Sequence, residues 1–316
     1  MAAKHFLDHG GRCVLSTWEV LLQQLINGLI LGSFYALVAL GYSMVYGIIK
    51  LLNFAHGDIY MTGAVSCLFA FGYVANLLPG WPGIICAILV AMVIAGALGF
   101  LAQRFAYRPL LGAPRLSLLI TAIGVSLVIS NAVMLLTKSQ PLFFTSGLNT
   151  AAGFKLGNIT ITYIQVILLA IAVALMVGLT LFIGRTMVGR AMRAISLDQD
   201  TCRLMGINVS RVIGLTFVIG SALAAVAGGM ACVYYGNVQY NMGYTIGIKA
   251  FTAAVIGGIG SIPGAMMGGL LLGLLEAFGT QFLGSEWKDA FAFGILILIL
   301  ILRPNGLLGK TTVERM

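Results

Sequence analysis

The sequence predicts an all-α, polytopic integral membrane protein of about 8–10 transmembrane helices, with broken helices and an internal repeat. The 316-residue chain is 60% hydrophobic and 9% charged, whereas a soluble domain carries about 25% charged residues. Several apolar runs reach the ~20 residues that cross a bilayer. Because these runs are continuous and do not alternate, they indicate helices rather than the strands of a membrane barrel.

The apolar segments follow one another along the chain. They cover residues 21–50, 58–78, 83–105, 116–137, 161–184, 212–236, 247–283 and 288–302. Segment 247–283 is too long for one crossing, and the Gly-rich stretch GGIGSIPG interrupts it, so we expect two helices there. The sequence leaves open whether 21–50 is one helix or two, and with it the side on which the N-terminus lies.

Basic residues predict the orientation of the chain in the membrane. Lys and Arg collect in loops on the cytoplasmic side, and here they cluster in 104–115, in 185–211 and at the C-terminal end. Two crossings separate the first two clusters, so both can face the cytoplasm, and the loop at 138–160 is then predicted to face outward. The net charge of +9 fits this bias better than it fits nucleic-acid binding.

We expect three regions in the chain. Residues 1–18 are predicted to be a disordered lead, 19–305 a transmembrane domain, and 306–316 a cytoplasmic tail. Within the domain, 185–211 has the composition of one or two short cytoplasmic helices, with Gly206 as a helix stop. An ordinary solvated loop is the alternative for this segment.

The stretch LLNFAHGDIYMTGA at 51–64 places polar groups inside an apolar region. A charge in the bilayer centre costs at least ~2.5–3.5 kcal/mol, so such groups face a bundle interior or a cavity. Gly57 is predicted to permit a helix break, and Asp58 to cap the next helix, to line a substrate pathway, or both. His56 is expected to pack with a hydrogen bond to Asp58, Asn53 or a backbone carbonyl.

The stretch GGIGSIPGAMMGGLLLG at 257–273 has the same form. Its glycines end one helix, Ser261 can cap the next, and Pro263 fits the first turn. Broken helices in both halves of a chain are typical of a transport site. The candidate pathway residues are Asn53, His56, Asp58, Thr62, Gly257, Gly258, Ser261 and Pro263. Glu276 is predicted to be a buried acid at a helix contact, with its protonation left open.

The sequence contains no motif for nucleotide binding, hydrolysis or metal binding. GxxxxGK[ST], HExxH and GxSxG are all missing. Its five cysteines form no CxxC pair, so we expect neither a disulfide framework nor a metal site. The chain is therefore predicted to be no enzyme and to hold no cofactor, and any ATP that drives transport would bind to partner subunits.

Five stretches carry a resemblance to a known family. They are GYSMVYGIIKLLNFAHGDIYMTGA at 41–64, RFAYRPL at 104–110, MVGRAMRA at 187–194, MGINVSRVIGLTFVIGSALAAVAG at 205–228 and GIKAFTAAVIGGIGSIPGAMMGGL at 247–270. With them the chain resembles the permease subunit of branched-chain amino acid ABC transporters, the LivH type. The resemblance extends from about Leu21 to Glu314.

The resemblance implies an importer of leucine, isoleucine and valine in a bacterial inner membrane. This chain would form the translocation pathway with a second, related permease, and two cytoplasmic ATP-binding subunits and a periplasmic substrate-binding protein would complete the system. Segment 185–211 would then couple to the ATPases. Its candidate contacts are Gly189, Arg190, Arg193, Asp198 and Gly206. Membrane lipid is also an expected partner, and nucleic acid is not.

Other functions stay open from the sequence. A permease of the same family can carry urea, short amides or other amino acids, because substrate choice can rest with the binding protein. A stand-alone secondary carrier is less favoured, although Asp58, His56 and Glu276 are groups that proton coupling can use. A membrane enzyme is the least favoured, because no nucleophile–base pair is evident.

Overall fold

The computed structural model describes residues 17–50, 52–110, 112–145, 152–156, 159–303 and 305–309. In these ranges the protein consists mainly of α-helices. They are α1 (Thr17–Ile49), α2 (His56–Val74), α3 (Trp81–Leu101), α4 (Arg115–Leu136), α5 (Tyr163–Arg185), α6 (Met187–Leu197), α7 (Gln199–Leu204), α8 (Val209–Tyr235), α9 (Met242–Gly257), α10 (Ile262–Leu283) and α11 (Lys288–Leu302).

Short elements complete the described chain. A π-helical turn, Ala102–Tyr107, and a 3₁₀ turn, Arg108–Leu110, extend α3, and a further 3₁₀ turn, Ser285–Trp287, precedes α11. Strand β1 (Leu142–Phe143) pairs antiparallel with β4 (Asn237–Val238), with Leu142 opposite Val238. Strand β2 (Gly153–Leu156) pairs antiparallel with β3 (Ile159–Thr162).

The helices confirm the prediction of a polytopic helical membrane protein. Among the described residues, α1, α3, α4, α5, α8 and α10 are long and apolar enough to cross a bilayer, and α9 is a shorter apolar helix. Segment 21–50 lies in the single helix α1, which settles the question left open by the sequence. Segment 247–283 divides between α9 and α10 as predicted, and 185–211 contains the two short helices α6 and α7.

Small residues bring the central helices into close contact. A Cβ atom on Gly273 of α10 would lie 2.2 Å from the Cα of Gly32 in α1, and one on Gly269 would lie 2.4 Å from the Cα of Ala36. Such residues let membrane helices approach closely, which adds van der Waals contact where lipid gives no hydrophobic driving force. The α1–α10 pair therefore forms the rigid centre of the fold, with α8 and the buried helix α2 beside it.

The segments predicted to be cytoplasmic meet at one end of the bundle. Gln199 of α7 donates a hydrogen bond of 3.0 Å to the carbonyl of Ile48, at the end of α1. At the other end, Gln23 near the start of α1 donates to the carbonyl of Thr160 in β3. This is the arrangement that the predicted orientation requires.

The three-region division of the chain stays a prediction. Residues 1–16 of the predicted lead and 310–316 of the predicted tail lie outside the described residues. The internal repeat also stays a prediction.

Candidate functional site

Asp58 lies in the first turn of α2 and does not cap it. The helix begins at His56, with Ala55 at the N-cap position and no side-chain capping bond. The Asp58 carboxylate turns away from the helix end, and its Oδ2 accepts a hydrogen bond from the Ser126 hydroxyl of α4. The predicted capping role is therefore wrong, because the N-cap position of α2 is Ala55, three residues before Asp58.

The Asp58 carboxylate is buried without a cationic partner. Its residue is 4% exposed, and no lysine or arginine of the described chain lies within ion-pair distance of it. The first residues of α9 lie beside it, since a Cβ atom on Gly243 would sit 2.9 Å from Asp58 Oδ1. Burying a charged carboxylate costs free energy unless a positively charged group binds beside it.

Gly57 serves helix packing rather than a turn. A Cβ atom there would lie 2.3 Å from the carbonyl oxygen of Gly243 and 2.6 Å from the Cα of Gly247, both in α9. Its φ angle is not positive. The prediction that Gly57 permits the chain to turn is corrected accordingly, because the missing side chain is what lets α2 and α9 touch.

Asn53, His56 and Thr62 hold the start of α2 in place. Asn53 Oδ1 accepts a hydrogen bond of 2.7 Å from Tyr107 at the end of the π-helical turn. The His56 imidazole bonds to the backbone of Val38, which is one of the three partners considered, and its Nε2 has no partner. The Thr62 hydroxyl donates to the Asp58 carbonyl at 2.8 Å. These hydrogen bonds hold the side chains at the start of α2, and their place in a substrate pathway stays a prediction.

Aromatic residues that the sequence analysis missed flank the start of α2. The rings of Phe54 and Phe251 lie 6.3 Å apart, and Tyr42 is 6.2 Å from Phe251. Phe54 and Tyr244 are exposed, at 37% and 72%. Tyr244 and Phe251 are two turns apart on one face of α9, a helical spacing that the sequence did contain. We call Asp58, Ser126, Phe54, Tyr244 and Phe251 the Asp58 site.

The second helix break is closed by the chain itself. Gly258 has a φ of 104°, the Ser261 hydroxyl accepts from Gly264 N at 3.2 Å, and Pro263 occupies the first turn of α10. The capping predicted for Ser261 is confirmed. The N–H groups of Leu307 and Leu308 donate to the carbonyls of Ile256 and Gly257, at 2.8 and 3.0 Å, so these free carbonyls of α9 are satisfied.

The structure does not bring the two breaks together. Gly57 contacts Gly243 at the start of α9, whereas Gly257 is its last residue. At 1.5 Å per residue these two ends of α9 are about 21 Å apart. Gly257, Gly258, Ser261 and Pro263 are therefore separate from the Asp58 site.

Glu276 is the centre of a buried ion-pair cluster. One oxygen lies 2.9 Å from Lys249 Nζ and 2.7 Å from Lys288 Nζ, and the other accepts from the Tyr35 hydroxyl at 2.9 Å. Lys249 also pairs with Asp289 at 2.6 Å. The prediction of a buried helix contact is confirmed. Lys249 was not among the predicted site residues, although it is a charged residue inside the apolar segment 247–283.

Three of the coupling candidates shape segment 185–211. The Thr186 hydroxyl accepts from Gly189 N at 3.0 Å and so caps α6. Arg193 Nη1 donates to the carbonyl of Ile183 at 2.7 Å, which ties α6 to the end of α5. Gly206, at a φ of 80°, ends α7, and the Ile207 N–H then bonds to the Cys202 carbonyl in a Schellman motif. The predicted helix stop at Gly206 is confirmed.

Asp198 caps α7, and Arg190 stays at the surface. Asp198 Oδ1 accepts from Asp200 N and Thr201 N at 2.9 and 3.2 Å. Together with the Thr201 hydroxyl, these donors lower the pKa of Asp198 below its usual value. Arg190 is exposed, and its Nη2 lies 2.8 Å from the sulfur of Met187.

Segment 185–211 also presents exposed apolar side chains. Four large apolar residues in α6, in α7 and directly after α7 are 74–89% exposed: Met187, Leu197, Leu204 and Met205. The sequence-based candidates in this segment did not include these residues. Exposed apolar surfaces of this kind mark sites of protein or membrane contact.

Comparison with known proteins decides the family. Residues 24–300 match the profile of a family described as the branched-chain amino acid transport system permease component. The chain belongs to this family. It is therefore a multi-pass transport permease of the inner membrane.

The relatives agree with this family over nearly the whole chain. The high-affinity branched-chain amino acid transport system permease protein BraD of Pseudomonas aeruginosa is 48% identical over 93% of this chain and 97% of its own length. LivH of Escherichia coli K12 is 44% identical with the same coverage. LivM of Salmonella typhimurium, a permease of the same kind of system, is 31% identical over 46% of this chain and 35% of its own length.

Proposed function

We propose that this permease carries leucine, isoleucine and valine as the membrane-spanning subunit of an ATP-driven importer. The chain is similar to BraD and LivH over 93% of its length. Both of these proteins are named as permeases of high-affinity branched-chain amino acid transport systems. The observation in the molecule that supports the proposal best is the Asp58 site, where a buried carboxylate without a cationic partner lies beside Gly243, the neighbour of the exposed Tyr244 in α9.

The two parts of the Asp58 site fit the two parts of the substrate. The α-ammonium group of an amino acid supplies the positive charge that Asp58 lacks, and a charge-assisted hydrogen bond is about twice as strong as a neutral one. A branched aliphatic side chain can pack on Phe54, Tyr244 and Phe251 without leaving a polar group unpaired. The Ser126 hydroxyl, already bonded to Asp58, keeps the carboxylate oriented between passages.

The proposed system includes further subunits. A second, related permease faces this chain across the pathway, and the partial similarity to LivM supports a partner of this kind. A periplasmic binding protein delivers the substrate. Two cytoplasmic subunits bind and hydrolyse ATP, so this chain needs no cofactor of its own. The exposed apolar residues of segment 185–211 are the surface that an ATPase groove covers.

The contacts of this segment suggest how ATP binding moves the membrane helices. Arg193 ties α6 to the end of α5, and Gln199 ties α7 to the end of α1. When the ATPases close, they displace α6 and α7, and these two hydrogen bonds transmit the displacement to the spanning helices. The repeats then rock and open the pathway to each side in turn.

The test is uptake of radiolabelled leucine into vesicles that contain the whole transporter. Asp58→Asn and Asp58→Ala should lower uptake at least tenfold, because losing one partner of a buried charge pair costs ~2–5 kcal/mol and 1.4 kcal/mol is a factor of ten. Co-purification of the subunits should be unchanged. Glu286→Gln, which changes an exposed acid outside the Asp58 site, is the control and should leave uptake intact.

Three outcomes would overturn parts of the proposal. Normal uptake by assembled Asp58→Ala transporter rules out the pathway role of the Asp58 site. Uptake by vesicles that hold this chain without ATPase subunits rules out the ATP-driven importer and favours a secondary carrier. Competition by unlabelled urea or acetamide, at the level that unlabelled leucine gives, rules out the branched-chain substrate class.

A further inference from the structure

A basic cleft lies at the predicted cytoplasmic end, where the extension of α3 meets the start of α8. Its volume is about 510 Å³. A second hollow of about 520 Å³ adjoins it and shares Arg108, Asn208 and Ser210. The cleft combines charged residues from the helix extension with the first turns of α8. The lining that the argument uses consists of Phe100, Gln103, Arg104, Arg108, Arg211 and Leu215.

The arginines of the cleft have no acidic partner. Arg104, Arg108 and Arg211 are exposed, and none of them forms an ion pair within the described part of the chain. The N–H groups of the first turn of α8 lie among them, and Asn208 Oδ1 accepts from only one, that of Arg211, at 3.1 Å. Three cations beside the N-terminus of a 27-residue helix form an environment for an anion.

A buried polar group at the cleft also lacks a partner. Gln103 is 2% exposed, and its Nε2 has no hydrogen bond. Gln103 lies in the π-helical turn Ala102–Tyr107, and turns of this kind occur frequently at functional sites. An unsatisfied buried donor is rare in a native structure, and this one lies in the wall of the basic cleft.

The deeper wall of the cleft is apolar. Phe100 and Leu215, at 44% and 38% exposure, face outward from the membrane-spanning parts of α3 and α8. Gly214 lies between them in the cleft wall, and the atoms nearest to a Cβ atom there would be those of Gln103 and Phe100, at 3.5–3.8 Å. The site thus has cations at the membrane surface and an apolar groove below them.

We propose that this cleft binds an anionic phospholipid of the cytoplasmic leaflet. The phosphate lies between Arg104, Arg108 and Arg211, and one acyl chain follows Phe100 and Leu215 into the bilayer. Basic pockets between membrane helices on the cytoplasmic side suit this class of ligand. An acidic patch of an ATPase subunit would satisfy the arginines but would leave the apolar groove open, so the whole cleft fits a lipid better.

Lipid retention by the purified full-length protein, measured by native mass spectrometry, tests the proposal. The probes are dioleoyl phosphatidylglycerol, dioleoyl phosphatidylethanolamine and inorganic phosphate. Phosphatidylglycerol should be retained in preference to the other two. In Arg104→Gln/Arg211→Gln its affinity should fall about thirtyfold, since each basic residue near an anionic headgroup contributes ~1 kcal/mol. Gly214→Leu, which fills the groove and keeps the arginines, should also lower retention of the lipid.

The matched control is Arg185→Gln/Arg303→Gln. It removes two exposed arginines at the same end of the molecule, outside the cleft, and should retain phosphatidylglycerol as the unmodified protein does. Equal retention of both lipids, or equal losses in the two double variants, overturns the site. Displacement of the lipid by millimolar phosphate overturns the acyl-chain part, because it shows that the headgroup alone is bound. If an ATPase subunit bound to the permease covers the cleft and no lipid is retained, the choice of a lipid as the ligand is overturned.

Discussion

Replacing Glu276 by glutamine should destabilise the protein by about 3 kcal/mol. The carboxylate accepts from two lysines and from Tyr35 at 2.7–2.9 Å, and its side chain is fully buried. Removing one partner of a buried pair costs ~3–5 kcal/mol, because it leaves the other charge without compensation. We expect the lower value, since Lys249 keeps Asp289 at 2.6 Å and the Lys288 side chain is 38% exposed.

The assay is thermal unfolding of the detergent-purified protein. A loss of ~3 kcal/mol corresponds to a fall of roughly 6 °C in the midpoint. Glu286→Gln is the matched control, because the same change is made at an exposed acid ten residues further on. Exposed substitutions away from such contacts stay within about 0.5 kcal/mol.

A double-mutant cycle separates the ion pair from other effects. Lys249→Met/Glu276→Gln leaves Lys288 and Asp289 as one cation and one anion, both partly exposed. The double variant should therefore lose clearly less stability than the sum of the two single changes, by at least ~1 kcal/mol. Additive losses, or a Glu276→Gln protein as stable as Glu286→Gln, would show that the cluster is not a coupled buried network.

Two further predictions concern helix capping and helix contact. Asp198→Ala should speed amide hydrogen exchange in α7, whereas Asp198→Asn should retain the cap, and equal exchange in both variants would contradict the capping role. Because hydrogen bonds lower the pKa of Asp198, the unmodified protein should protect these amides fully at neutral pH. This protection should be lost only as the pH falls below ~3.9. Gly273→Ala, whose Cβ would meet Gly32 at 2.2 Å, should cost ~1–3 kcal/mol of stability in the same unfolding assay, whereas Gly178→Ala, with no atom within 4 Å, should cost nothing.

The two helix breaks show which features a sequence can predict. The break at 257–263 depends on local signals, because glycine adopts a positive φ, Ser261 caps and Pro263 needs no N–H. The start of α2 depends on distant residues. Tyr107 holds Asn53, and Gly243 and Gly247 pack on Gly57, so the helix begins at His56 and Asp58 loses the capping position. No residue close in sequence signals these contacts.

The same limit applies to the charged groups. Lys249 and Glu276 are 27 residues apart and lie on different helices, so neither one predicts the other from sequence spacing. Exposure of the apolar residues in segment 185–211 also depends on how α6 and α7 lie against α5 and α1. Sequence patterning predicts that a helix is amphipathic, whereas the bundle decides which of its residues stay uncovered.

The structure places α9 between the cytoplasmic end of the bundle and the Asp58 site. Its first residues contact Gly57 and Asp58, and its last residue leads into the closed break, where Gly260 N donates to the Ser43 hydroxyl of α1 at 2.9 Å. Lys249, between these ends, fixes α9 to α10 through Glu276. These contacts hold α9 at both ends and in the middle. In the proposed transport cycle, a displacement of α1 by α6 and α7 would therefore reach Asp58 through α9.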